Sequence, residues 1–161
     1  MTTTSSTQHT TPSLGAKTPE PNRVFVQWHG ARRFDAGRRG GPVQRIDGNG
    51  ETGPSPVDTL LNALATCASI DVIEILAKRR TPVSTFEVEV EATRATGTPR
   101  RVTHVLLEFR ITGEGIEREQ AERAIELSIT KYCSVRDSLD PNLPIEWTLA
   151  LSDTPRLRTS G

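Results

Sequence analysis

The residues of this 161-residue chain best suited to covalent chemistry are its two cysteines, Cys67 and Cys133. Two thiols can together reduce a peroxide. One thiolate attacks the O–O bond and becomes a sulfenic acid, and the other thiol condenses with it to a disulfide that a cellular dithiol reduces. The competing interpretation is that each cysteine is a small apolar residue packed in the interior, where cysteine is common. The presence of the pair does not by itself choose between these two readings.

The two cysteines differ in their local sequence. Cys67 lies well inside a long apolar segment, too far from the predicted helix start for the helix dipole to lower its thiol pKa. Cys133 lies between Lys131 and Arg136, where one predicted helix ends and another begins. A helix N-terminus and neighbouring cations both lower a thiol pKa. The local sequence therefore predicts that Cys133 is the more activated thiol.

An acid and several arginines are further candidates for the site. Asp58 is either a catalytic carboxylate or the partner of Ser55 in a capping box, and the capping role is favoured because of the three-residue spacing. The arginines precede the helix, at Arg32, Arg33, Arg38, Arg39 and Arg45. Most of them are expected on the solvated surface. One that folded over a thiol would stabilise the thiolate and orient a peroxide oxygen.

Neither a metal nor a resident cofactor is predicted. His29 and His104 lie on separate predicted strands, without the short ligand spacing to either cysteine that zinc sites show. No glycine pattern leads from a strand into a helix as phosphate-binding loops do. An external dithiol is the one reagent that the thiol chemistry requires.

The elements that must position these residues follow from periodicity and turn signals. A leader rich in Thr, Ser and Pro is predicted over residues 1–22, a single domain over 23–151 and a flexible tail over 152–161. Within the domain the first elements predicted are strands at 23–28 and 32–35 and a Gly- and Arg-rich loop at 36–54 with at most one short strand at 43–46. They are followed by a helix at 55–80, strands at 83–90 and 105–111, helices at 117–131 and 134–139, and a strand at 145–151.

This order predicts an α+β domain with a mainly antiparallel sheet, because the strands come in local pairs. The helix at 55–80 is apolar on almost every side, which is typical of a buried helix. A domain of this size has few ways to surround such a helix, so a partner subunit is expected to cover part of it.

The overall charge of the chain indicates which kinds of molecule it is expected to bind. The chain has 20 basic and 20 acidic residues, which gives no reason to expect nucleic acid or an anionic membrane as partner. No apolar run of roughly 18 residues, the length of a spanning helix, and no secretory signal is identified. The protein is therefore expected in the cytoplasm, where thiols are kept reduced, with small molecules or protein subunits as its ligands.

Two stretches of the chain resemble a known family. They are Gly53-Pro54-Ser55-Pro56 through Leu60-Leu61, Ala63, Cys67 and Asp71-Val72 to Lys78-Arg79, and Ala124, Leu127-Ser128 and Lys131-Tyr132-Cys133-Ser134-Val135. Over roughly residues 24–151 the chain is similar to the OsmC/Ohr superfamily, and most of all to its YhfA-type branch. The resemblance implies an OsmC-like fold in which an antiparallel sheet wraps long central helices of an intertwined homodimer.

The resemblance also assigns roles to residues. In the peroxidase members the cysteine on the central helix is peroxidatic and the later one resolves it, which gives these roles to Cys67 and Cys133 and reverses the ranking from local sequence. Those members also use an arginine of the N-terminal hairpin, matched best by Arg32 or Arg33, with Arg38 and Arg39 as alternatives. Their glutamate near the helix start is matched by Val57 here, and Asp58 lies about 100° further around the helix.

Three functions follow as hypotheses. The first is thiol-dependent reduction of organic hydroperoxides, with Cys67 attacking and Cys133 resolving. The second is a non-catalytic OsmC-like dimer that binds a small apolar or sulfur-containing ligand at its interface, which the Val57 departure favours. The third is disulfide exchange with low-molecular-weight thiols.

Overall fold

The structure is a computed structural model that describes residues 20–153. Most of the predicted leader (1–22) and tail (152–161) lies outside the described residues. Ser152, where the tail was predicted to begin, is the last residue of a strand. Helices and strands are both present in the order predicted, which confirms the α+β class.

The chain begins with a three-stranded antiparallel sheet of β1 (Phe25–Trp28), β2 (Arg33–Gly37) and β3 (Val43–Asp47). Gly30 turns β1 into β2 with φ of 85°, a left-handed conformation that glycine adopts without strain. Within the predicted loop at 36–54, β2 extends to Gly37 and β3 lies where at most one short strand was predicted, so that residues 38–42 and 48–54 connect the strands and the helix.

A buried aspartate shapes the connection from β3 to the next helix. The Asp47 carboxylate accepts hydrogen bonds from the Asn49 backbone N–H at 2.9 Å, the Thr52 backbone N–H at 3.1 Å and the Thr52 hydroxyl at 2.8 Å. These donors hold the pKa of Asp47 below its usual value although the side chain is buried. Asp47 therefore fixes the loop through which the chain enters the helix that carries Cys67.

The long helix α1 (Pro56–Lys78) begins where the sequence predicts. The Ser55 hydroxyl accepts a hydrogen bond from the Asp58 N–H at 3.2 Å, and the Asp58 carboxylate accepts one from the Ser55 N–H at 2.9 Å. This reciprocal pair satisfies two backbone N–H groups that a helix start leaves without partners. The capping role predicted for Asp58 is confirmed.

Helix α1 is apolar well beyond the stripe that its own chain buries. The buried stripe consists of Leu64, Ala65, Ala68, Val72 and Leu76. Among the described residues α1 is the one helix that, by length and composition alone, is long and apolar enough to cross a membrane. This property is an average over the helix, because polar residues such as Thr66, Ser69 and Asp71 interrupt the apolar ones, and the core helix of a folded domain has it too.

The second sheet consists of β4 (Thr85–Arg94), β5 (Val102–Thr112) and β6 (Ile145–Ser152), in that order. The pair β4–β5 is antiparallel as predicted, whereas β6 pairs in parallel with β5. Alternate residues of β5 face the core, and they are Val105, Leu107, Phe109 and Ile111. The parallel pair is possible because helices intervene between β5 and β6 and carry the chain back along the sheet.

Those intervening helices are α2 (Arg118–Leu127), a five-residue π-helical segment (Ser128–Tyr132) and α3 (Ser134–Asp137). The sequence predicts an uninterrupted helix to Lys131, whereas in the structure α2 ends at Leu127 and a π-helical turn follows. The Cys133 N–H donates to the Ser128 carbonyl at 2.8 Å, a bond that spans one residue more than an α-helical bond. This wider turn ends directly at Cys133.

Candidate active site

The fold brings the two cysteines together from distant parts of the chain. Cys67 is half-buried on α1, and Cys133 is buried, with 3% of its surface exposed, between the π-helical segment and α3. The two thiols are both free, and hydrogen bonding between them is among the causes that shift their pKa values. The Cys67 sulfur also lies 3.9 Å from the Ser134 hydroxyl oxygen. The predicted pair is therefore close enough for the thiols to interact directly.

Backbone contacts hold Cys133 in place. Its sulfur accepts a hydrogen bond from the Arg136 N–H at 3.3 Å, so that Cys133 caps the N-terminus of α3. The same sulfur lies 4.0 Å from the Leu64 carbonyl oxygen on α1. An oxygen atom is the more usual capping group at this position. The capping hydrogen bond fixes the orientation of the Cys133 sulfur toward α1.

The environment favours the thiolate of Cys67. Burial is the largest single influence on its pKa and opposes ionisation. Hydrogen bonds from the Val135 N–H, the Cys133 thiol and the Ser134 hydroxyl together outweigh burial. The pKa of Cys67 is therefore below the usual thiol value. The nearby Asp71 carboxylate acts in the opposite direction. The start of α3 thus activates a cysteine on another helix.

The environment of Cys133 has the opposite effect. Burial, aided by the interaction with Cys67, raises the pKa of Cys133 to about 11, although the Arg136 N–H favours its thiolate. The prediction from local sequence that Cys133 is the more activated thiol is wrong. The physical reason is that burial raises the pKa of Cys133, whereas the N–H of Val135 is among the donors that lower the pKa of Cys67.

Sequence reasoning gave no role to several groups that act on the thiols. Ser134 and Val135 lie inside the motif that carries the family resemblance, yet their contact with Cys67 needs the fold. Asp71 lies one helical turn after Cys67, a spacing that places side chains on one face. Its own pKa is raised by burial and by Glu74.

Asp58 lies at the start of α1, where its carboxylate is engaged by Ser55. Hydrogen bonding with the Ser55 side chain first, and then with the Ser55 N–H, lowers the pKa of Asp58. The charge of Arg94 on β4, a residue that the sequence did not single out, also lowers the pKa of Asp58. Within the described residues Asp58 makes no contact with either thiol, and a catalytic role for it stays a prediction.

The arginines predicted as candidates all lie on the β1–β2–β3 sheet or its turns. Arg32 approaches the Asn49 side chain at 3.5 Å, and Arg33 acts on the Asp47 carboxylate. The others also have local partners: Arg38 bonds Asn22, Arg39 lies over the Phe25 ring, and Arg45 pairs with Asp35. Among residues 20–153 of a single chain, none of these arginines acts on Cys67, and an arginine at the thiol stays a prediction.

Two cavities lie near the cysteines, and Cys67 is in the lining of neither. One, of about 280 Å³, lies beside the first turns of α1, and its lining consists mostly of aliphatic side chains together with Arg100, Arg101 and Asp140. Leu64, whose carbonyl faces the Cys133 sulfur, is part of that lining. The other is a cleft of about 400 Å³ that is lined by Cys133 itself, by other residues of the π-helical segment and α3, and by the start of β6.

Comparison with known proteins places this chain in a family. The family model described as OsmC-like protein matches residues 48–148. Protein YhfA of Escherichia coli strain K12 is 38% identical over 111 residues, which is 68% of this chain and 83% of YhfA. The crystal structure of a hypothetical protein from Aquifex aeolicus VF5 has a TM-score of 0.71 at 25% identity, covering 83% of this chain and 99% of that one.

A more distant structure shares the fold. The organic hydroperoxide resistance protein OhrB of Bacillus subtilis has a TM-score of 0.53 at 14% identity, over 81% of this chain and 96% of OhrB. At that identity the likeness concerns the fold alone.

Proposed function

The chain belongs to the OsmC-like family, and on that premise we propose that it reduces organic hydroperoxides through Cys67 and Cys133. The observation that carries the proposal is that two free thiols from distant parts of the chain meet, with Ser134 beside the Cys67 sulfur and Leu64 of α1 beside the Cys133 sulfur, and that their pKa values are shifted in opposite directions. Family membership supports a peroxide-related redox function, since a protein of the same fold is named for organic hydroperoxide resistance.

The proposed cycle begins at Cys67. Its thiolate attacks the distal oxygen of the hydroperoxide, the O–O bond breaks, and the proximal oxygen leaves as an alkoxide that takes a proton to become an alcohol. Cys67 is then a sulfenic acid. The hydrogen bonds from Val135 and Ser134 support the thiolate that this step requires.

The second step uses Cys133. Its raised pKa, caused mainly by burial and also by repulsion from a Cys67 thiolate, keeps the proton on this thiol while Cys67 is an anion. Once Cys67 is a neutral sulfenic acid, that repulsion is gone and ionisation of Cys133 becomes easier. The Cys133 sulfur attacks the Cys67 sulfur, and the hydroxyl group leaves as water with the thiol proton. A dithiol then reduces the disulfide.

The apolar cavity beside α1 supports an organic substrate. Its lining contains Val57, Leu60 and Leu64, which lie on the turns of α1 that precede Cys67. An apolar pocket stabilises the carbon chain of a hydroperoxide by removing it from water, an effect that hydrogen peroxide cannot use. Val57, the departure from the family glutamate, contributes to this apolar wall.

The proposal is tested by counting thiols. One equivalent of cumene hydroperoxide should convert two free thiols per chain into one disulfide, and Cys67→Ser should abolish the reaction. Cys133→Ser should stop the cycle at a sulfenic acid that dimedone traps on Cys67. Full retention of both thiols, under conditions in which a known peroxidase of the family reacts, would overturn the proposal.

We also propose that the active protein is a homodimer. Large apolar side chains are exposed on the first sheet and on α1, and they include Val26 at 64%, Trp28 at 65% and Ile70 at 59%. A second copy would cover these surfaces and could bring Arg32 or Arg33 to Cys67. Mixing an Arg33→Ala chain with a Cys67→Ser chain should then restore activity in mixed dimers, because each hybrid holds one intact site.

The same apolar cavity favours a second candidate function, the binding of a small apolar or sulfur-containing ligand without turnover. In that case a ligand would raise Tm, and the rise would be unchanged in Cys67→Ser and Cys133→Ser. A peroxidase predicts instead that these variants lose peroxide consumption.

A further inference from the structure

The cleft of about 400 Å³ reaches Cys133 from a side that does not include the peroxide-reactive thiol. Its lining is Ile129, Thr130, Lys131, Cys133, Arg136, Asp137, Pro141 and Ile145. No residue of α1 belongs to this lining, whereas Cys67 and the Leu64 carbonyl contact Cys133 from α1. Cys133 therefore lies between α1 on one side and the cleft on the other.

This placement matters for the reduction of a Cys67–Cys133 disulfide. In thiol–disulfide exchange the attacking sulfur, the attacked sulfur and the leaving sulfur lie roughly in line. A nucleophile in the cleft approaches Cys133 from the side away from α1, and the sulfur displaced from behind it is that of Cys67. Attack on Cys67 would instead expel Cys133 toward the core.

We propose that this cleft is the binding site of the reductant, a dithiol that attacks the sulfur of Cys133 and expels Cys67 as a thiolate. The inference rests on the proposed function, since it concerns the disulfide that function produces. The first thiolate of the reductant forms a mixed disulfide with Cys133 while the Cys133–Cys67 bond breaks. The second thiol then attacks the reductant's own bonded sulfur, Cys133 leaves and takes a proton, and the dithiol departs as an intramolecular disulfide.

The relative acidity of the two thiols supports this direction of attack. A thiol with a lower pKa leaves faster from a disulfide. Cys67 has the lowered pKa and Cys133 the raised one. Expulsion of Cys67 is therefore the easier of the two routes, and it regenerates directly the thiolate needed for the next peroxide.

The charges of the cleft indicate the form in which the reductant binds. Lys131 is exposed at its edge, with its ammonium group 5.3 Å from the Tyr132 ring centroid. The Arg136 guanidinium is fixed in the wall by bonds to the carbonyl oxygens of Asp140 at 3.2 Å and Pro141 at 3.1 Å. Asp137 offsets one of these two cations. The net positive charge favours an attacking thiolate and a dithiol that carries further negative charge.

The site of attack is tested on the disulfide form made with diamide, so that no peroxide is needed. This form is treated briefly with 2-mercaptoethanol, which cannot cyclise, quenched in acid, alkylated with N-ethylmaleimide and mapped by peptide mass spectrometry. We expect the mercaptoethanol adduct on Cys133 and the maleimide on Cys67. An adduct found mainly on Cys67, or no disulfide after diamide, would overturn the proposal.

The cleft itself is tested by charge reversal. Lys131→Glu should slow reduction of the disulfide by dimercaptosuccinate, an anionic dithiol, by about tenfold, and reduction by uncharged dithiothreitol much less. Arg123→Glu makes the same charge change at an exposed position on α2 outside the cleft. Equal slowing in both variants would place the effect in the overall charge and would contradict a cleft site. If peroxide fails to oxidise the thiols while these results hold, the proposed function fails and the cleft assignment stands.

Discussion

The Ser128 hydroxyl donates a buried hydrogen bond of 2.9 Å to the carbonyl oxygen of Ala68, the residue after Cys67. The Ser128 carbonyl accepts at the same time from the N–H of Cys133 at 2.8 Å. One residue therefore links the backbones beside both cysteines. This link sets the distance between α1 and the π-helical segment at the point where the two thiols meet.

Removal of the Ser128 hydroxyl should lower both the stability of the fold and the rate of disulfide formation. We expect Ser128→Ala to lower the free energy of unfolding by about 1 to 2 kcal/mol, because a buried hydrogen bond is lost. Disulfide formation after oxidation of Cys67 should also slow, since the sulfurs are held less firmly. Urea denaturation and stopped-flow thiol loss measure the two effects.

Ser138→Ala is the matched control, because the Ser138 hydroxyl bonds the Ser134 carbonyl at 2.7 Å on the exposed side of α3. It should change unfolding little and leave disulfide formation intact. The same slowing in both variants would show that the Ala68 bond has no special part in positioning the thiols.

The pH dependence of alkylation should distinguish the two cysteines. Iodoacetamide reacts with the thiolate, so the rate at Cys67 should reach half its maximum below the usual thiol pKa and that at Cys133 only near pH 11. Peptide mass spectrometry after timed alkylation reads both sites in one sample.

The same assay tests the hydrogen bond between the thiols. Cys133→Ser keeps a donor for the Cys67 sulfur, whereas Cys133→Ala removes it. The pKa of Cys67 should therefore be higher in the alanine variant than in the serine variant, because a donor to the thiolate is lost. Equal values in the two variants would rule out the bond as a source of the acidity.

The apolar cavity should determine substrate preference. Leu60 lines it and is 40% exposed. Leu60→Ser should lower kcat/KM for cumene hydroperoxide by about tenfold, since apolar contact with the substrate is lost, and should leave the rate with hydrogen peroxide unchanged. A loss of equal size with both peroxides would point to damage at the thiols rather than to the cavity.

The first sheet should carry the subunit contact. Val26 is exposed in β1, and Val26→Asp places a charge where a second copy would bury the side chain. We expect this variant to sediment as a monomer, with activity lost at low concentration. Gln27→Asp, at the neighbouring exposed position, should have less effect. A dimer undisturbed by Val26→Asp would place the interface elsewhere.

The sequence by itself determined the elements whose causes are local. The start of α1 follows from Ser55, Pro56 and Asp58, because a capping box involves only neighbouring residues. Strand β5 follows from its alternating Val105, Leu107 and Phe109. The order of elements and the family resemblance depend on such signals, which no distant contact overrides.

Only the tertiary structure decided which thiol is acidic and how the cysteines are approached. The pKa of a thiol depends on whatever groups surround it in space, and the N–H of Val135 and the burial of Cys133 come from packing between elements far apart in the chain. The π-helical turn at Ser128 and the parallel pairing of β6 likewise depend on long-range contacts. The local sequence predicted the opposite order of the two thiol pKa values, because it shows only the neighbours of each cysteine along the chain and not the residues that the fold brings near it.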